Sequence, residues 1–246
     1  MFSCAARARR IPGYAERMCA RAKLTTSGVD LQNAFGLRET PELVPHWNLA
    51  PTQDLAVIRT PGELEQLRFG LVPPFARDVK MGTRFLNARA ETVATLPAYR
   101  SAFARRRCLV VLDGFYEWKA TGPGGKVKQP YLFEASDGSP FALAGIWERW
   151  TSHATGEVVD SVAIVTCAAA PPVSLVHDRE PVRLPKESYA AWLDAGTADP
   201  LTLLQAGAVE LVSRPVSRAV SSQKNDGPSC VAPPEALQAE LAGITG

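Results

Sequence analysis

Short apolar runs broken by glycine and proline set the pattern of this chain. Leu55–Arg59, Leu67–Val72, Cys108–Leu112, Tyr131–Ala135, Phe141–Trp147 and Val162–Cys167 are rich in β-branched and aromatic residues and predict strands. Lys119 to Gln129, with Gly122-Pro123-Gly124-Gly125 inside it, predicts a hairpin loop, and Ser152 to Glu157 predicts another. Helices are predicted over Val29–Phe35, Glu91–Phe103, Lys186–Asp194 and Pro234–Leu241, with Ser27 and Pro185 as start signals for the first and third. Strands that follow one another with few helices between them do not make a βαβ series. The pattern therefore predicts an α+β protein, a single domain built on a curved, mostly antiparallel β-sheet or barrel with peripheral helices. Pro215 to Pro228, basic and rich in small residues, is expected to return as a loop lining a cleft.

Composition narrows the picture. A chain of 246 residues with 46% hydrophobic content has ample material for a core. No apolar run approaches the ~20 residues that a membrane span needs, and no repeat of fixed period stands out. The net charge of +2 argues only weakly for a nucleic-acid partner. Its distribution says more: Arg84, Arg89, Arg100, Arg105, Arg106 and Arg107 crowd one stretch, interleaved with Phe85, Tyr99 and Phe103. Arginines for phosphate and aromatics for base stacking are what single-strand binding requires. The competing reading of Arg105 to Arg107 is a solvated helix face.

The cysteines bound the chemistry. Residues 4, 19, 108, 167 and 230 form no CxxC pair and no Cys/His cluster of metal-ligand spacing. Free thiols in a reducing compartment are expected, with no metal and no cofactor. Cys108 and Cys167 lie in apolar runs and read as packing residues.

Met18-Cys19 is the exception. If translation starts at Met18 and that methionine is removed, Cys19 carries a free α-amine beside its thiol. A 1,2-aminothiol condenses with an aldehyde to an imine and then closes a thiazolidine ring. The α-amine suits the first step, because its reference pKa of ~7.7–8.0 lies well below the ~10.4 of lysine. Residues 1–17 are Ala/Arg-rich, end near the turn-like Pro12-Gly13, and lack the apolar core of a secretory signal. We expect them to be absent from the active form, through a start at Met18 or by clipping before Cys19, which leaves residues 18–246 as the functional domain.

Other residues offer proton-transfer chemistry. Glu117 sits in Phe115-Tyr116-Glu117-Trp118, an aromatic setting expected to desolvate its carboxyl; alone, it would read as an exposed strand-end glutamate. His177 belongs to the residue type that shuttles protons near neutrality, whereas His46 and His153 read as structural. Asn87 can donate and accept at once; out of context it equally suits a turn or a cap.

The wider pattern joins these residues. Met18-Cys19-Ala20-Arg21 is followed by Trp47-Asn48-Leu49-Ala50-Pro51 and by Phe69-Gly70-Leu71-Val72-Pro73-Pro74-Phe75. Asn87-Ala88-Arg89-Ala90-Glu91-Thr92 and Asp113-Gly114-Phe115-Tyr116-Glu117-Trp118 come next. His177-Asp178-Arg179-Glu180-Pro181-Val182, Pro215-Val216-Ser217-Arg218-Ala219-Val220 and Lys224-Asn225 complete the series. In this order, from about Met18 to Pro228, the blocks resemble the SRAP (SOS response-associated peptidase) family.

That resemblance implies a curved α+β fold and an abasic-site processing function on single-stranded DNA. It implies a catalytic set of Cys19, Asn87, Glu117 and His177, and a covalent thiazolidine link to the lesion aldehyde. It further implies removal of residues ahead of Cys19 by self-cleavage, and an imine that fails to cyclise implies weak strand-cutting lyase activity by β-elimination. Arg21, Arg89, Arg179 and Arg218 become the expected DNA contacts, joined by Pro51 and Trp118, with Pro74 and Phe75 as a wedge beside the lesion. Two departures are visible: Ala20 stands where the family usually has glycine, and Phe75 where tryptophan is commoner. The expected protein is a cytoplasmic monomer with no membrane attachment. A thiol peptidase acting on other proteins and a non-covalent single-strand binding module are the two rival readings.

Overall fold

Among the described residues, alternation and β-branching build thirteen strands, and glycine and proline end them. The computed structural model describes residues 20–235. The strands are β1 (Ala22–Leu24), β2 (His46–Leu49), β3 (Asp54–Thr60), β4 (Glu63–Phe69), β5 (Asn87–Arg89) and β6 (Arg107–Leu112). They continue with β7 (Gly114–Thr121), β8 (Val127–Ala135), β9 (Phe141–Thr151) and β10 (Val158–Ala168). The last are β11 (Arg179–Pro181), β12 (Arg183–Leu184) and β13 (Leu211–Pro215). Among the described residues, three short α-helices, α1 (Gly28–Phe35), α2 (Arg100–Arg105) and α3 (Tyr189–Leu193), lie between strands, with several 3₁₀ turns.

Two sheets result. The smaller runs β13-β8-β7-β1-β2 and is antiparallel throughout. In the larger, β9 pairs with both β6 and β10, which closes β10-β4-β3-β6-β9 into a ring. β5 and β11 extend it along the far half of β10, and β12 along β9. Only the pairings of β10 with β4 and β5 are parallel among the described residues. The expected α+β single domain on a curved, mostly antiparallel barrel is what the chain forms. Closure demands close approach at Gly145, where an added Cβ would lie 2.8 Å from Cys108 Sγ.

The main core fills the barrel and the space between the sheets. All six residues of β6 are buried, and Phe115 stacks on Phe133 at 5.2 Å where the smaller sheet faces that core. Each such aliphatic or aromatic burial contributes about 1.5–3 kcal/mol. A second cluster, Tyr116, Leu132, Val216, Val220 and Cys230, lies together against the partly buried Trp47 and Trp118. A third, Val72, Ala76 and Trp150, is smaller.

Several element boundaries differ from expectation for identifiable reasons. The helix expected over Glu91–Phe103 forms only as α2, because Pro97 lacks the donor that a continuous helix needs and Thr95 bonds back to the Thr92 carbonyl at 3.1 Å. The strand expected over Leu67–Val72 ends at Phe69, since Gly70 takes φ 115°. Lys186–Asp194 opens as a 3₁₀ turn over Lys186–Ser188 before α3. Strand pairing shortens the first hairpin loop to residues 122–126 and carries β9 on to Thr151. The helix expected at Pro234–Leu241 falls almost entirely outside the described residues, as do residues 1–17.

Two members of the arginine-rich stretch, Arg106 and Arg107, are structural, whereas Arg84, Arg89, Arg100 and Arg105 are exposed. Arg107 is 3% exposed and donates to the Phe103 carbonyl at 2.8 Å and the Trp192 carbonyl at 2.7 Å, closing the ends of α2 and α3 together. Arg106 pairs with Glu148, while Tyr99 and Phe103 are core residues. Those two aromatics are therefore not a stacking platform for bases.

Candidate active site

A cleft of about 300 Å³ is lined by Ala20, Arg21, Pro51, Glu117, Trp118, Lys128, His177, Ser221 and Gln223. Six separate stretches of the sequence converge there. Cys19 itself lies outside the described residues, but its immediate neighbour Ala20 is in the wall.

The stretch after Cys19 is held by the start of the DGFYEW block. Asp113 accepts from Thr25 Oγ1 at 2.8 Å, from the Thr26 backbone at 3.1 Å and from Lys23 Nζ at 3.4 Å. The Tyr116 N–H donates to the Arg21 carbonyl at 3.1 Å and the Asp113 N–H to the Lys23 carbonyl at 2.8 Å. This ladder lays residues 20–24 along β7.

β7 then delivers Glu117 by period two. Phe115 and Glu117 share one face, Tyr116 and Trp118 the other. Glu117 is 2% exposed, so its carboxyl meets the cleft with little water around it. Tyr116 is fixed by donating to the Trp47 carbonyl at 2.6 Å, and burial pushes its phenol well above the ordinary range. Trp118 Nε1 donates to Ser221 Oγ at 3.1 Å, and its ring lies 6.0 Å from the Arg21 guanidinium.

His177 follows the 3₁₀ turn Val173–Leu175, and its backbone N–H donates to the Val173 carbonyl at 2.9 Å. Its Nδ1 accepts the Arg179 backbone N–H at 3.1 Å. In a neutral imidazole this places the proton on Nε2. The Asp178 carboxylate at 3.2 Å and the Arg179 carbonyl at 3.3 Å lie ready for an Nδ1 that carries a proton instead.

The remaining wall is a loop tied down by Asn48 and Arg21. Asn48, 1% exposed, donates to the carbonyls of Ser222 at 2.9 Å and Asn225 at 2.7 Å and accepts from Arg21 at 3.0 Å. Arg21 also donates to the Val220 carbonyl at 2.7 Å. Burial lowers the Arg21 pKa from its usual value, with Cys230 acting in the opposite sense. Pro51 reaches the cleft beside a strained turn: Thr52 has φ 79°, an uncommon conformation for a β-branched residue. Pro215 to Pro228 does return as a cleft-lining loop, through Ser221 and Gln223.

Other expected site residues stand outside this wall. Asn87 is half-buried on β5, opposite Ile164, and its carbonyl accepts from Tyr99 at 2.9 Å. Arg89 is exposed at the end of that strand. Arg179 is held by the Glu91 carboxylate and by the Thr166 carbonyl at 2.8 Å, and the Arg179 hydrogen bonds keep the Glu91 carboxyl below the ordinary carboxylate range. Arg218 lines a separate hollow with Gln129, Pro234 and Glu235. Pro74 and Phe75 are exposed at a loop tip, with Phe75 edge-on to Phe85 at 6.4 Å.

The sequence matches the SOS response associated peptidase (SRAP) family over residues 18–223. The chain belongs to the SRAP family. Among its relatives is the abasic site processing protein YoqW of Bacillus subtilis, 34% identical over 224 residues, covering 87% of this chain and 99% of that one. The abasic site processing protein HMCES of Gallus gallus is 28% identical over 267 residues, covering 89% and 78%. A crystal structure of a protein from Bacteroides thetaiotaomicron shares the fold with a TM-score of 0.77 at 22% identity, over 87% of this chain and 99% of that one.

In this SRAP chain the block residues thus divide between the cleft and its supports. Asn48 and Asp113 are supports that motif reading alone did not separate from cleft residues. Lys128 had no sequence signal, because its position in the wall depends on the pairing of β8 with β7. Among the described residues, no cluster of His, Cys, Asp or Glu is arranged to hold a metal, and no helix is long and apolar enough to cross a membrane.

Proposed function

We propose that this SRAP chain processes abasic sites in single-stranded DNA by covalent capture, with Cys19 as its N-terminal residue. One observation carries the reading: Ala20, the residue after Cys19, lines the same cleft as Glu117 and His177. An aminothiol, a buried carboxyl and an imidazole are what aldehyde condensation needs.

The α-amine nitrogen attacks the aldehyde carbon of the opened sugar to give a carbinolamine. Glu117 donates the proton with which hydroxide leaves as water, and an imine forms. The thiolate adds to the same carbon, and the imine nitrogen takes up the proton that the thiol gave. The net change is loss of one water and gain of a thiazolidine. His177, with its proton on Nε2, assists ring opening at the sugar oxygen, and Asn87 positions the sugar or a phosphate. Arg21 and Lys128 supply positive charge around the cleft, and Trp118 offers a ring face for a base. An imine that fails to cyclise permits β-elimination, the source of a weak lyase side activity.

Cys19 must be N-terminal for any of this, because an amide nitrogen is not nucleophilic. Release from residues 1–18, by initiation at Met18 with methionine removal or by self-cleavage through Glu117 and His177, is part of the proposal. The protein acts as a cytoplasmic monomer on damaged strands. The test is to incubate the chain as written, and the chain begun at Met18, with single-stranded DNA holding one abasic site. Denaturing gels and intact mass are read beside the mature N-terminus. The expected result is a denaturant-stable adduct, one water lighter than the sum of its parts, only where Cys19 is N-terminal. A folded protein with N-terminal Cys19 and no adduct overturns the reading. Salt-reversible binding alone would then favour a non-covalent module.

A further inference from the structure

We infer that Glu91 is a positioning residue for His177, acting through Arg179; the inference rests on the role proposed above for His177. Three contacts make the chain. Glu91 Oε2 accepts from Arg179 Nη2 at 2.9 Å, and Oε1 pairs with Nη1. The same Nη2 donates to the Thr166 carbonyl at 2.8 Å. The backbone N–H of Arg179 then donates to His177 Nδ1 at 3.1 Å.

The topology explains why such a link is needed. β5, which ends two residues before Glu91, runs parallel to β10 with Arg89 opposite Thr166. β11, which begins with Arg179, runs antiparallel to β10 with Arg179 opposite Ala168. Asn87, on β5, and His177, two residues before β11, therefore belong to segments joined through β10. The Glu91–Arg179 fork bridges across it, and a two-point arginine–carboxylate contact fixes orientation as well as distance.

The imidazole is where this matters. Nδ1 has a donor at 3.1 Å in the Arg179 N–H, yet acceptors at 3.2 Å in Asp178 and 3.3 Å in the Arg179 carbonyl. Both neutral tautomers thus have partners within reach. The tautomer with its proton on Nε2 holds only while the Arg179 backbone keeps its N–H on Nδ1. β11 is three residues long, so the side-chain anchor of Arg179 carries much of that constraint. Without Glu91 the guanidinium loses its fork, and the balance moves toward Nδ1–H.

The experiment is a long-range proton–nitrogen correlation spectrum of the full chain labelled at its imidazole nitrogens. There are three histidines, and the His177→Asn spectrum assigns the signal of interest. Wild type is expected to show Nε2–H at His177. Glu91→Gln should change the tautomer ratio roughly fivefold, the equivalent of one ordinary hydrogen bond, and Glu91→Asp should fall between the two. Arg179→Lys, which keeps the charge and loses the fork, should reproduce the Gln result and serves if the first variant does not fold. A purely structural role would lower stability and leave the ratio alone. His177 signals unchanged in both Glu91→Gln and Arg179→Lys overturn the inference. Abasic-site adduct assays on the same samples separate the two readings. Adduct formation by wild type with an unmoved tautomer in the variants removes only the positioning role; a tautomer moved in the variants, with no adduct from wild type, removes only the capture reaction.

Discussion

Arg21 Nη1 donates to the Val220 carbonyl at 2.7 Å across 199 residues of sequence, and Asn48 Oδ1 accepts from the same nitrogen at 3.0 Å. The backbone next to Cys19 and the loop walling the cleft are thereby one unit, with Asn48 at its centre. Asn48→Ala leaves two loop carbonyls and an arginine short of partners inside a site 1% exposed. The expected cost is about 2–4 kcal/mol in urea unfolding, from several lost or unsatisfied hydrogen bonds. Abasic-site adduct formation should fall with it.

The exposed tip carrying Pro74 and Phe75 rests on a small fixed base. Val72 N–H donates to Ser161 Oγ at 2.8 Å, and Trp150 Nε1 donates to the Ala76 carbonyl at 2.9 Å. Phe75 is 57% exposed although both flanks are pinned. Trp150→Phe keeps the ring and removes the donor, so about 1 kcal/mol of stability should go. The sharper readout is faster amide exchange over residues 72–76 with reduced affinity for single-stranded DNA. Unchanged exchange there would show that the base does not hold the tip.

Barrel and cleft were legible to different degrees. Cys108–Leu112 and Val162–Cys167 were readable as strands because burial on both faces leaves uninterrupted apolar runs. β7 was not, because Glu117, Lys119 and Thr121 break its apolar pattern and its pairing partners lie elsewhere in the chain. Pro97 was visible yet underweighted against the helix-like run around it. Glu117 and His177 were found through their blocks, and the cleft brings them together. The proximity of Glu91 to Arg179, and of Glu235 to Arg218, is recorded by no local pattern in the sequence.

Glu117 separates chemistry from binding. Replacing its carboxyl by the Glu117→Gln amide retains shape and removes a transferable proton. General acid–base steps contribute about 10²–10⁴-fold, and adduct formation is expected to slow by that order. Affinity for undamaged single-stranded DNA should stay within a few-fold, because a residue 2% exposed at the cleft offers little surface to a phosphate backbone. Equal losses in both measurements would assign Glu117 to binding or folding instead.

Thiol reactivity isolates Cys19. Cys108, Cys167 and Cys230 are free and buried. Burial pushes the Cys108 thiol far above the ordinary range and the Cys167 thiol up to about 11. At pH 8 about one Cys167 side chain in a thousand would be ionised. Native alkylation of the chain begun at Met18 should therefore add one group, on Cys19, and prior reaction with abasic DNA should block it. The same shift carries a sign for stability. The folded thiol keeps its proton where the unfolded one ionises, so this contribution is whole below about pH 8.5 and declines as pH rises toward 11. The urea midpoint should accordingly fall between pH 8 and pH 10, and by less in Cys167→Ala. An equal fall in both proteins would place the alkaline sensitivity elsewhere.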